Sequence, residues 1–401
     1  MEVMLEPMFV GLHSTSVPHL EALILRGSAS QRAGSSTESE LLQLPGMTAF
    51  PRLRPLEIDG VPCELSPPGL LLNNVLSLNL VDVLNITTEE LLGVLHNSPF
   101  LERLELGRSP TACPSETIVA PIHLPRLMAL HLIFMPIPVS NFFLKTVHAP
   151  KCSELVIVSQ FPESPDDVVK GCLFTSDTQH FNPVLQTLLT RGRHKDIEVT
   201  NFFPKMQFLL NFHDRDGDYN GLLDHGVVRL DFKFHSVQQI EQTVHWLAHC
   251  LGLDTPKISI RLFVGGFDEA RWMDILDSRT TITHFAFYTL PHLYAIRPSP
   301  ILTHMAQPTL SRWPLHEMEE FIFGVADDDE LQDEAVLKML RERYGPRDVN
   351  PGDSSGGPSN GTSYPNPLRR IRLAVDGRTS SYMLNEVRKI LPEATASLFL
   401  E

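Results

Sequence analysis

Cysteine is scarce in this chain and basic charge is in deficit, and each shortage narrows what the protein can be. Only five cysteines occur in 401 residues. Cys63, Cys113, Cys152, Cys172 and Cys250 form no C-x-x-C pair, and an odd set suits no disulfide framework. A reduced, intracellular compartment, cytoplasmic or nuclear, is expected. Acidic residues number 48 against 33 basic ones, a formal net charge of -15. That balance argues against nucleic acid and anionic membranes as main partners, because both select for basic patches.

Long apolar runs are missing too. None approaches the roughly 20 residues that span a bilayer. The opening MEVMLEPMFVGLHS carries two glutamates and no basic stretch, so it does not read as a secretory signal. The sequons at Asn85 and Asn360 then meet no glycosylation machinery. Catalytic signatures are also lacking. There is no G-x-S-x-G, and Gly265-Gly266 and Gly356-Gly357 lack the lysine and spacing of a phosphate loop. Neither an enzyme nor a cofactor is expected.

Two partial metal motifs need weighing. Asp216-Gly-Asp218-Tyr-Asn220-Gly221 opens like a calcium loop, but Val227 stands where the bidentate glutamate is required. His245 and His249 have zinc spacing without a helical H-E-x-x-H glutamate or a third ligand. An acidic turn between strands and an outer helix face explain these residues, so no metal is expected.

What is present is a recurring phrase. In Ser98–Leu106, SPFLERLEL, Leu101, Leu104 and Leu106 follow a proline in an L-x-x-L-x-L pattern, and Leu127, Leu130 and Leu132 repeat it in LPRLMALHL. The last two leucines alternate at strand spacing and point to one face. A single strand cannot bury such a face, but a stack of them can. Leu25, Ile58, Leu80, Leu106, Leu132 and Ile157 close successive phrases at intervals of 33, 22, 26, 26 and 25 residues. Leucine-rich repeats run at about 20–29 residues.

Connectors between the phrases read as helices. Thr87 and Glu90 form a capping box before Leu91, Leu92 and Leu95, and Ser140 is placed to cap a short helix through Val147. Ser236–Leu251, with Ser236 and Gln239 as its box, is a further helix. The predicted fold is therefore α/β: a leucine-rich-repeat solenoid, or horseshoe, with parallel strands on its concave face and helices on its convex face. Residues 1–16 are expected to form an imperfect N-terminal cap and 17–344 the solenoid, with its register lost over 160–221. Residues 345–366 read as a disordered loop, and 367–401 as the final strand and a capping helix. Val227, Leu230 and Phe232, then Ile282, Phe285 and Phe287, resume the phrase after the irregular stretch.

The arrangement resembles the F-box-like, leucine-rich-repeat proteins of mushroom-forming fungi. The matching residues are the P-x-L-x-x-L-x-L phrases, Trp313-Pro314, Asp328-Asp329 before Leu337-Lys-Met-Leu340, Arg343-Tyr344-Gly345, and Pro367-Leu368-Arg-Arg-Ile371. The resemblance implies a substrate-recognition subunit of a ubiquitin ligase, docked through an F-box. Val17 is read as opening the first repeat, so no F-box is expected within this sequence. A stand-alone scaffold without a ligase link is the alternative.

Alternation also assigns the binding face. Residues beside the last two anchors project from the concave side. They are Glu57, Asp59, Ser77, Asn79, Arg103, Glu105 and His131, then Arg229, Asp231, Lys233, His284, Tyr288, Arg370 and Arg372. A mixed-charge strip of this kind suits a protein partner.

Overall fold

The computed structural model describes residues 18–27, 42–43, 50–61, 63–64, 72–83, 86–108, 121–160, 184, 188, 194–202, 205–213, 225–233, 257–264, 273, 282–289, 300–308, 313–325, 330–345, 365–375 and 381–399. Among the sequence expectations, the N-terminal cap, the calcium-like loop, the Ser236–Leu251 helix and most of the 345–366 loop lie outside these residues. The chain divides into two compact units, Met1–Thr190 with Gly226–Lys233, and Arg191–His225 with Phe234–Glu401.

The first unit is built on parallel strands. β1 (Leu23–Arg26), β3 (Pro55–Asp59), β5 (Ser77–Val81), β6 (Arg103–Gly107), β8 (Ala129–Ile133) and β10 (Glu154–Gln160) pair in that order, and β13 (His225–Lys233) lies beyond β10. The closing anchors form one row. Leu25, Ile58, Leu80, Leu106, Leu132, Ile157 and Leu230 are register partners from strand to strand, and none is more than 1% exposed. On β13 the core face is carried by Val228, Leu230 and Phe232: Leu230, expected as the middle anchor, stands in the closing row, and the expected first anchor Val227 is only half-buried.

Each part of the phrase has a mechanical role. Before β3, β5, β6, β8 and β10 a four-residue turn closes by an N–H donated from its last residue, as from Leu101 to the Ser98 carbonyl and Leu127 to that of Leu124. Pro51, Pro99, Pro125 and Pro150 occupy the second turn position, where the fixed φ suits the turn and no N–H is needed, while Asn73 takes that place before β5. At the far end, Gly60, Asp82, Arg108 and Phe134 adopt φ of 65°, 51°, 55° and 54°. Their N–H groups donate to the carbonyls of Val81, Gly107, Ile133 and Val158, so each strand hands its last hydrogen bond to the next. A Cβ on Gly27, at the same position on β1, would run into the Gly60 carbonyl oxygen.

Two helices accompany these strands. α1 (Thr88–His96) begins with both bonds of the expected capping box: Thr87 Oγ1 accepts from the Glu90 N–H at 3.2 Å, and Glu90 Oε2 accepts from that of Thr87 at 2.9 Å. α2 (Ile137–Thr146) begins a turn earlier than expected, with Pro136 as its N-cap and no side-chain cap. Ser140 is therefore an interior residue, buried, and its hydroxyl meets no partner. Two short parallel pairs, β2 (Leu42–Gln43) with β4 (Cys63–Glu64) and β7 (Ile122–His123) with β9 (Val147–His148), complete the unit.

In the second unit, β11 (His194–Phe202) and β12 (Lys205–His213) form an antiparallel hairpin. This departs from the all-parallel expectation and supplies the structure of part of the irregular stretch. Ile197 faces Leu210 and Val199 faces Phe208 across the pair, so its core face follows strand alternation without the leucine phrase. Parallel pairing continues through β14 (Lys257–Val264), β15 (Ile282–Thr289), β16 (Glu320–Val325), β17 (Arg370–Val375) and β18 (Thr395–Phe399). β17 is thus not the final strand. The expected strand across 313–324 is also shorter, because a turn over 314–317 precedes β16, which begins at Glu320. Phenylalanine fills this core: Phe285 stacks on Phe321 and Phe287 on Phe323, both at 6.2 Å between ring centroids.

α3 (Pro300–Met305), α4 (Glu330–Tyr344) and α5 (Ser381–Ile390) flank this sheet. Arg343, 3% exposed, binds the elements together. Its guanidinium donates to the carbonyls of Met305 and Leu315 and to the Tyr344 hydroxyl, and lies over the Trp313 ring. Burial pushes the Tyr344 hydroxyl's pKa above the usual tyrosine value, and the guanidinium partly offsets that.

Candidate functional site

On the first unit's sheet, the residues between anchors form registered rows on the polar face. The middle row runs Glu57, Asn79, Glu105, His131, Val156 and Arg229. His131 sits between two carboxylates, with Nε2 3.0 Å from Glu154 and Nδ1 3.4 Å from Glu105. Arg26 reaches Glu57 at 2.9 Å, and Arg229 pairs with Asp231 at 2.8 Å on its own strand. Asp59 and Ser77 are half-buried on the same face, while Arg103 and Lys233 are exposed. Asn79 Oδ1 and Asp231 Oδ1 are enclosed without a partner. All ten expected positions on this sheet therefore share one face.

Sequence reasoning missed Arg26 and Glu154, although both satisfy the alternation that selected their neighbours. It also missed a ridge at the strand ends. Arg108 pairs with Asp82 at 3.0 Å and lies 5.1 Å from the Phe134 ring centroid. Phe134 is 54% exposed. Left-handed backbone at non-glycine residues costs on the order of 1 kcal/mol or more at each position. The sign of this ridge in the sequence is its fixed place, two residues after each closing anchor. At the other end of the strands, Arg126 covers the exposed Phe100 at 4.7 Å.

The second unit's face is organised around Glu320, whose side chain is 10% exposed. Arg372 Nε lies 2.9 Å from one carboxylate oxygen, and Arg370 Nη1 and His284 Nε2 each lie 3.5 Å from the other. Three of the expected site residues thus converge on a carboxylate that was not expected. Tyr288 shares the His284 face but is only 8% exposed, which removes it as an open contact residue. Across the sheet, Glu198 pairs with Arg261 at 3.5 Å.

Thr283 Oγ1 lies 2.8 Å from His284 Nδ1, an outline of a hydroxyl–imidazole–carboxylate relay. The carboxylate at its end is already bound by two guanidiniums, so it is a poor orienting base for the imidazole. His123 and His148 bring their Nδ1 atoms to 2.8 Å on β7 and β9. Among the described residues, no group of three or more His, Cys, Asp or Glu side chains could hold a metal ion. The His245–His249 pair lies outside them. No described helix is long and apolar enough to cross a membrane. Lys195, 4% exposed beside the β11 core positions, has its pKa lowered to about 8 by burial.

No protein-family model matches the chain, and neither a curated protein nor a solved structure matches it at a significant level.

Proposed function

We propose that the protein is a non-enzymatic protein-interaction scaffold of the leucine-rich-repeat type, which presents the polar faces of its sheets to a protein partner. The observation that carries this reading is the first unit's middle row. Polar side chains there stand in register from β3 to β8 and, past Val156, at Arg229, and His131 is held by Glu105 within the row and by Glu154 beside it. A surface fixed in this way loses little side-chain freedom on binding, which favours specific recognition.

The resemblance to F-box-like proteins gives this role a specific form, substrate selection for a ubiquitin ligase. A stand-alone scaffold is the alternative, and co-purification with a ligase scaffold protein separates the two. For the binding face itself, a photo-crosslinking residue is placed at 105 or 229, and for comparison at 93 or 145 on α1 and α2. A partner captured from the native source at the face positions and not at the helix positions supports the proposal. Equal capture at Lys145 overturns it.

A further inference from the structure

Within an acidic chain, the Glu320 cluster is locally reversed in charge. One buried carboxylate faces two permanently charged guanidiniums and an imidazole, so a fixed positive charge is left over. The carboxylate is nearly covered, whereas Arg370 and Arg372 side chains are 50% and 40% exposed. Glu320 thus holds the guanidiniums from the sheet side and leaves their outer N–H groups toward solvent. Two residues apart on β17, the arginines stand roughly 6.5 Å from each other along the strand. Thr395 and Ser397 are their register partners on β18, which places a hydroxyl residue beside each guanidinium.

We propose that Arg370 and Arg372, held by Glu320, form an oxyanion-recognition site for a carboxylate or phosphate carried on an extended segment of a partner protein. Guanidinium forks match the planar oxygen pairs of carboxylates and the oxygens of phosphate, and charge-assisted hydrogen bonds of this type are about twice as strong as neutral ones. Prior immobilisation by Glu320 removes much of the rotamer cost that free arginines would bear on binding. The inference deepens the scaffold reading by naming the partner's chemistry, and it rests on that reading only for the occupant's being a protein.

The test uses the full chain and three probes: a fluorescein-labelled hexaglutamate peptide, the same peptide with phosphoserine at two positions, and inorganic phosphate as competitor. Fluorescence anisotropy should show saturable binding of at least one peptide, weakened about tenfold by R370Q and by R372Q. R372K keeps the charge but loses the fork, so it should fall between wild type and R372Q. E320Q removes the carboxylate that immobilises both guanidiniums and should weaken binding several-fold, while R52Q, an exposed arginine of the other unit in the turn before β3, should change nothing. Cooperative melting of each variant shows that it is folded.

Preference between the two peptides decides whether carboxylate or phosphate is the natural group. Absence of saturable peptide binding, binding of inorganic phosphate alone, or equal weakening by R52Q overturns the site. Peptide binding that persists when the crosslinking experiment fails keeps the site and removes only the scaffold role.

Discussion

Arg343 donates from Nη2 to the Leu315 carbonyl at 2.7 Å, joining the last turn of α4 to a turn 28 residues earlier in the chain. No carboxylate pairs with this guanidinium among the described residues. Its charge is instead met by two carbonyls, a hydroxyl and the Trp313 and Tyr344 rings. R343M leaves those acceptors unmet and is expected to destabilise the protein by about 2–4 kcal/mol. R343K, which restores one donor, should lose less. Urea unfolding measures both, and a loss below about 0.5 kcal/mol in R343M would contradict the role given to this residue.

Two hydroxyl residues in the first unit should respond in opposite directions. T87A removes a formed capping bond and should cost about 1 kcal/mol. S140A removes a buried hydroxyl that has no partner, so it should be neutral or stabilising by up to about 1 kcal/mol. Thermal melts of the pair check this, and a destabilised S140A would mean that its hydroxyl is bonded.

Leu104 and Leu130 are register partners, sealed at 1% and 0% exposure. Alanine at either should cost about 2–5 kcal/mol. E105A and H131A, on the opposite face, should stay within about 1 kcal/mol, the usual range for exposed ion pairs. Equal losses at the four positions would show that the two faces have been exchanged.

Lys195 gives the protein an alkaline signature. Its folded pKa of about 8 lies below the ordinary lysine value of 10.5, so the unfolded chain binds this proton more tightly. Stability should therefore rise with pH between about 8 and 10.5 and be flat in this term below pH 8. Tyr344 works against it near the top of that window, because its folded pKa is raised. The difference between wild type and K195M isolates the lysine: the rise should vanish in the variant. A K195M profile parallel to wild type from pH 7 to 10 would count against this assignment.

The repeated core was legible because the phrase couples three local signals. A proline turn, an anchor three residues before the strand's first buried position and period-two alternation all agree in SPFLERLEL. The polar-face residues followed from the same alternation, without further information. What was not legible depends on pairing across long separations. Nothing local in residues 194–213 says that Ile197 will face Leu210 in an antiparallel hairpin, or that β13 and not the hairpin will pair with β10. Glu320 was hidden for a related reason, since its significance comes from arginines on the neighbouring strand, 50 and 52 residues away. The strand β18 escaped notice because TASLF is short and carries a single leucine.

The most direct measurement is the affinity of the captured partner for a variant with the first unit's face altered, H131A with R229A. A loss of at least about tenfold, with K145A on α2 unchanged and all melts cooperative, is expected if the registered face makes the contact. Full affinity in the double variant would contradict a binding role for this face.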